Sequence, residues 1–264
     1  MQYLDAVITA GYQPGKVDSL AEATNSPRKA LIPLNGKPMI WHVVQALRQT
    51  PQVRDIVVVG IDPDEGIDLD TPVIFEANRA GMLDNLYAGL NAVRRAHPDA
   101  EMAIISSADI PLLTPEIVGW FIDTCLQTED DVYYAVIEKS IMETAFPESK
   151  RSYIPFREGR YCGGDLFMVR LAVANQNEGL VREAMDRRKS AFRMAQLLGF
   201  GTLLKFVFRQ MTIPDAEQVA SRVFGARGRA VLSPYAAIGM DVDKPFQYDL
   251  VKHIMEPKAI TSAT

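Results

Sequence analysis

Through the first half of the 264-residue chain, short apolar runs alternate with longer stretches whose apolar residues recur at helical spacing. Residues 3–9 (YLDAVIT), 55–60 (DIVVVG), 71–76 and 101–107 (EMAIISS) read as strands, and 38–49, 82–96 and 114–128 as helices. Strands that are apolar throughout, without in-out alternation, are covered on both faces. Helices between successive strands supply the long crossovers that parallel neighbours require. The expected fold is a three-layer α/β/α sandwich on a mostly parallel, doubly wound sheet. Thr114 followed by Pro115 is expected to cap and open the third helix.

The second half changes character. A strand is expected at 131–138, then an irregular stretch in which Arg157-Glu158-Gly159-Arg160 turns a hairpin between two strands. Residues 172–224 read almost wholly as helix, including an apolar stretch at 203–208 that suits core packing or a dimer contact better than a membrane surface. A strand at 229–233 and a helix from 246 close the chain. With no repeat, linker or low-complexity tract, the expectation is one domain over 1–264, with 172–224 as a helical insertion within it.

Composition narrows the class. Apolar residues at 48% and charged residues at 23% are those of a globular protein. Lys plus Arg number 28 against 33 acids, a net charge of -5, which argues against a non-specific nucleic-acid binder. The two cysteines, Cys125 and Cys162, are too few for a disulfide framework or zinc site and read as buried thiols of a reducing cytoplasm. The N-terminal segment lacks the basic lead and apolar core of a signal peptide. The greasiest stretch, 197–207, is broken by Gly199, Gly201 and Lys205 and falls short of the ~20 residues that span a bilayer. A cytoplasmic protein without membrane insertion is expected, homo-oligomerisation being left open.

In an open α/β sheet, ligands bind beyond the carboxyl ends of the strands. After the first strand come Ala10, Gly11, Tyr12 and, with Pro14, Gly15, and then the basic pair Arg28-Lys29. Glycine there lets backbone N–H groups face an anion, and a basic pair can neutralise phosphates. Neither Walker A nor dinucleotide spacing is met, so the loop by itself is equally readable as a plain turn. After 101–107, Asp109 sits at a strand end with Pro111 stiffening the turn behind it, an arrangement that can hold a hard cation such as Mg²⁺ or serve as a turn aspartate. Near the C-terminus, only one of Asp241 and Asp243 is expected to face a shared site, the other capping the helix that opens near Pro245.

These pieces, in this order, resemble the MobA-like NTP transferases, a nucleotidyltransferase family with the GT-A fold. The resemblance rests on Ala10-Gly11, Arg28-Lys29-Ala-Leu-Ile-Pro33, Gly36-Lys-Pro-Met39, Ala108-Asp-Ile-Pro-Leu-Leu113 and Asp241-Val-Asp-Lys-Pro245 with Asp249-Leu250. It implies an NTP and a phosphorylated small-molecule acceptor, a sugar phosphate or cofactor precursor, as substrates, with Mg²⁺ as cofactor and pyrophosphate released. By the same resemblance, the loop with Ala10, Gly11 and Gly15 cradles the triphosphate, Lys29 and Arg28 bind its phosphates, and Gly81 and Asn85 lie against base and ribose. Asp109 is the first metal ligand, Asp241 the second, and Gly163, Gly164 and Asp165 face the acceptor.

Two departures stand out. Tyr12 takes the place of a second glycine, which matters if that position needs positive φ. Asp165 takes the place of an asparagine and adds negative charge on the acceptor side. Two other functions compete: an NDP-sugar-dependent glycosyltransferase, which would present Asp-x-Asp at the middle strand, and a non-catalytic nucleotide-binding regulator, suggested by the altered glycine loop. His42, His97 and His253 read as surface or capping groups, Trp41 and Trp120 as core or interface, and the basic run 187–193 as a solvated face or an acceptor contact.

Overall fold

A computed structural model of the chain describes residues 3–16, 18–187, 205 and 208–256. Its main sheet uses β1 (Leu4–Thr9), β4 (Val53–Val59), β5 (Ile74–Glu76), β6 (Met102–Ser107), β7 (Val132–Glu138), β8 (Ile154–Pro155), β9 (Arg160–Arg170) and β10 (Gly228–Ser233). A small ribbon pairs β2 (Pro33–Leu34) with β3 (Lys37–Pro38). Among the described residues the helices are α1 (Ser19–Ala23), α2 (Met39–Arg48), α3 (Met82–Ala96), α4 (Pro115–Cys125), α5 (Lys139–Ala145), α6 (Leu171–Gln176), α7 (Glu178–Arg187), α8 (Ile213–Phe224) and α9 (Pro245–Met255).

The strand order is β10-β7-β9-β6-β1-β4-β5, with β8 on β9. All pairings along this order are parallel except those of β9, which runs antiparallel to both β6 and β7. The expected mostly parallel sandwich is therefore present, with one reversal in the middle. The reversal follows from the 157–160 turn, where the Phe156 N–H donates to the Gly159 carbonyl at 2.8 Å and sends β9 back along β8. Central β1 is buried on both faces, as its unbroken apolar run requires. One face packs Val43, Val44 and Leu47 of α2 with Val118, Phe121 and Ile122 of α4, and the other packs Tyr87, Leu90 and Val93 of α3.

Local signals held at several ends. Thr114 accepts from the Ile117 N–H at 3.3 Å with Pro115 at the first helical position, and both cysteines are buried free thiols. Burial pushes the pKa of each thiol up. Helix α5 occupies a stretch expected to be irregular; it is short and buries only Met142, so it carries little periodic signal. In 172–224 the described residues form α6, α7 and α8 and a loop before α8, while most of 203–208 and of the basic run 187–193 lies outside the described residues. Among the described residues no helix is long and apolar enough to cross a membrane.

Gly89 shows how closely α3 meets the sheet. A Cβ there would collide with Val7 and lie 2.9 Å from Cγ2 of Val59. Gly89→Val is expected to lower stability by roughly 1–3 kcal/mol through overpacking. The urea-unfolding midpoint, at unchanged slope, measures it.

Candidate active site

The loops at the carboxyl ends of β1, β5 and β6 form one cleft. Ala10, Gly11, Gly15, Arg28, Lys29, Gly81, Asn85 and Asp109 all line a single cavity of about 840 Å³, a volume suited to a small-molecule ligand. Residues separated by nearly a hundred positions are thus brought together as expected.

The floor is made of backbone. The Ala10 N–H donates to the Val59 carbonyl at 2.8 Å, and Gly60, at φ 102°, lets β1 and β4 close up. A Cβ at Gly60 would lie 2.5 Å from the Gly11 nitrogen, and one at Gly11 would strike the Asn85 amide. Asn78 fixes the next residue, accepting from the Tyr12 N–H at 3.1 Å and donating to the Tyr12 carbonyl at 3.0 Å. Asn85 then accepts from the Arg79 N–H at 2.7 Å and donates to Asn78 at 3.3 Å. Tyr12 is absent from the positive-φ residues, so replacing glycine there costs no backbone strain; Gly15, at φ 78°, is where the loop needs that freedom. Gly60 and Asn78 were not singled out by sequence reasoning. A glycine closing an apolar strand was the only signal for the first, and an asparagine in a loop offers none for the second.

Arg28 lines the cavity and is also tied to the residues behind it. Its guanidinium donates to the Gly60 carbonyl at 2.6 Å, pairs with Glu65 and lies 5.0 Å from the Tyr12 ring. It thereby braces the loop that lines the cleft. Lys29, by contrast, ion-pairs with both Asp109 and Asp243. Its burial works against the ammonium, but the two carboxylates outweigh it and raise the Lys29 pKa. Ser107 donates to the second oxygen of Asp109, completing that carboxylate's surroundings.

The C-terminal segment also differs from expectation. Neither aspartate caps α9; Gln247 does, its Oε1 accepting from the Asp243 and Lys244 N–H groups at 3.0 Å each. Residues two apart on an extended chain share a side, and Val242 between them is buried with its N–H on the Asp109 carbonyl at 2.9 Å. Asp241 and Asp243 consequently both face the cluster, Asp243 on Lys29 and Asp241 on Arg151. Arg151 also donates to the Gly163 carbonyl at 3.1 Å.

Gly163, Gly164 and Asp165 lie on the first half of β9, beside the cavity and not in its lining. A Cβ at Gly163 would strike the Tyr134 hydroxyl, and one at Gly164 would lie 2.7 Å from Ile238 Cγ2. Tyr134 stacks on Phe167 with ring centroids 4.7 Å apart, next to Asp165 on the same sheet face.

Burial, then the charges of Asp109 and Asp241, pushes the Asp165 pKa up to about 7. Burial likewise raises Asp241 to about 6 despite Arg151, while Lys29 holds Asp243 below the usual carboxylate range against the effect of burial. Four carboxylates around two cations leave excess negative charge, a donor set that suits a hard divalent cation. The three-ligand cluster that closes within 4.8 Å among the described residues is elsewhere, Asp5 with Asp55 and His97. There Arg54 grips Asp5 at 2.8 and 3.1 Å and His97 meets Asp55 at 2.7 Å. The remaining histidines and tryptophans stay peripheral. His42 Nε2 lies 3.0 Å from the Leu34 carbonyl, His253 is exposed, and Trp41 and Trp120 pack half-buried on the core.

Comparison with known proteins agrees with this geometry. The profile of the MobA-like NTP transferase domain matches residues 23–222. A molybdenum cofactor guanylyltransferase of Yersinia pestis (strain Pestoides F) is 30% identical over 96 residues, 34% of this chain and 45% of that protein. The match thus spans less than half the length of that relative. A hypothetical transferase structure from Thermus thermophilus superposes with a TM-score of 0.82 at 30% identity, over 94% of this chain and all of that one. The 2-C-methyl-D-erythritol 4-phosphate cytidylyltransferase of the same species, at 12% identity and TM-score 0.57 over 96% of this chain and 98% of that one, shares the fold. With the profile covering most of its length and the ordered loops meeting in one cleft, the chain belongs to the MobA-like NTP transferase family of nucleotidyltransferases.

Proposed function

We propose that the protein transfers a nucleotidyl group from an NTP to a phosphorylated small molecule, with a divalent cation, Mg²⁺ by choice of ligands, held by Asp109 and Asp241. The observation that carries this reading is Lys29, clamped between Asp109 and Asp243 at the edge of a cavity floored by Gly11 and Gly81. The relatives' names support it: one is a guanylyltransferase, and the cytidylyltransferase is named for a 4-phosphate substrate.

An oxygen of the acceptor phosphate attacks the α-phosphorus; the bond to the bridging oxygen of the β-phosphate breaks, and pyrophosphate leaves with that electron pair. A phosphate oxygen is already ionised at neutral pH, so no general base is required. Catalysis then rests on alignment and charge neutralisation. When bound, the cation neutralises phosphate charge and orients the two reactants. The backbone of Gly11 and the loop to Gly15 accommodate the triphosphate, with Gly81 and Asn85 beside the nucleoside. Lys29, drawn off its carboxylates by the stronger charge of the phosphates, lies against the departing pyrophosphate. Gly163, Gly164 and Asp165 bound the acceptor side.

Asp109→Asn is expected to cut pyrophosphate release by roughly 10²–10³-fold with an unchanged melting temperature; turnover at the wild-type rate would contradict the assignment. Lys29→Ala is expected to weaken NTP use, and an unchanged NTP KM together with an unchanged kcat would remove it from the site. Stripping divalent ions with a chelator should stop turnover, and added Mg²⁺ restore it. A panel of NTPs against sugar phosphates and other phosphorylated acceptors, read as pyrophosphate, makes all three measurements. Release of NDP from NDP-sugars with no pyrophosphate from any NTP would favour a glycosyltransferase instead.

A further inference from the structure

Arg151 belongs to none of the motifs, yet it occupies a central position. Its side chain is only 17% exposed, pairs with Asp241 and donates to the Gly163 carbonyl. The loop that carries it is held from both sides. Ser149 N–H donates to the Phe146 carbonyl at 3.0 Å, and Lys150, at φ 51°, packs its ammonium 5.1 Å from the Phe246 ring. Lys29 serves the Asp109 and Asp243 end of the cluster, and Arg151 serves the β9 end where Gly163 and Asp165 lie.

A guanidinium buried to this degree needs an anion, because an uncompensated buried charge is strongly destabilising. In the structure that anion is Asp241. If Asp241 is drawn to a divalent cation, as the function proposed above requires, Arg151 loses the carboxylate it pairs with and is free to take another anion. An acceptor phosphate arriving on the β9 side meets a second difficulty, the carboxyl of Asp165. A planar fork of N–H donors beside it both offsets that charge and matches phosphate geometry.

We propose that Arg151 binds the acceptor's phosphate, exchanging Asp241 for it when the metal site is filled. The inference rests on the transferase reading, but its test is a binding measurement and stands apart from turnover. Inorganic phosphate is titrated into the full-length protein with saturating Mg²⁺, followed by calorimetry, for the wild type, Arg151→Gln and Arg151→Lys. Mn²⁺ binding to each is measured in parallel by electron paramagnetic resonance.

The expected result is roughly tenfold or greater weakening of phosphate binding in Arg151→Gln, with a smaller loss in Arg151→Lys. Mn²⁺ should bind Arg151→Gln at least as tightly as the wild type, since a competing cation has been removed. Phosphate binding that is absent in the wild type or unchanged in Arg151→Gln overturns the proposal. A joint fall of phosphate and Mn²⁺ binding also overturns it, because Arg151 would then act only by holding Asp241 in place. Failure of the transferase reading shows separately, as no pyrophosphate from any NTP.

Discussion

The contact on which the site depends is the ammonium of Lys29 held between Asp109 and Asp243. It joins a loop after β1, a loop after β6 and the segment before α9, elements 80 and 214 residues apart in sequence from the lysine. The parallel sheet makes that meeting possible. Parallel neighbours end at the same edge, so β1, β5 and β6 deliver their following loops to one cleft. The reversed β9 then adds its first residues, not its last, to the same edge, and so Gly163 and Asp165 arrive beside Asp241. The cluster binds its own cations, and in the function proposed above a divalent cation would offset its excess of carboxylate.

The altered glycine loop illustrates how the same backbone path can be held by different residues. The Tyr12 backbone is gripped by Asn78 at both N–H and carbonyl, and its ring covers the Arg28 guanidinium. Arg28 in turn ties Gly60 and Glu65 to the loop. The loop is thus held by side chains, with Gly11 lining the cavity.

Much of the fold was legible in the sequence because its signals are local and repeated. Apolar runs such as 55–60 mark strands covered on both faces, Thr114-Pro115 marks a helix start, and the Arg157–Arg160 turn marks a hairpin. Helix α5 was not legible, since a seven-residue helix with one buried side chain has no period to detect. In the candidate site, Gly11 and Asp109 were legible as strand-end residues and Lys29, Gly81 and Asn85 through the family resemblance, and all five share the cavity. What could not be read was partnership. Nothing in the string Ser149-Lys-Arg-Ser152 marks Arg151 as the mate of Asp241, ninety residues away, and nothing in Arg28 announces that Glu65 consumes its charge. Long-range ion pairs depend on tertiary geometry, whereas caps and turns depend on neighbours in the chain.

The claim that the strand-end carboxylates, and not the tighter Asp5, Asp55 and His97 cluster at the opposite edge, form the metal centre is the one on which the account turns. Anomalous diffraction from crystals soaked in Mn²⁺ with an NTP tests it most directly. The account predicts a Mn²⁺ peak between Asp109 and Asp241, with Lys29 moved off Asp109 and onto phosphate. A peak only at Asp5, Asp55 and His97, or nucleotide bound with Lys29 still clamped between its two carboxylates, would contradict it.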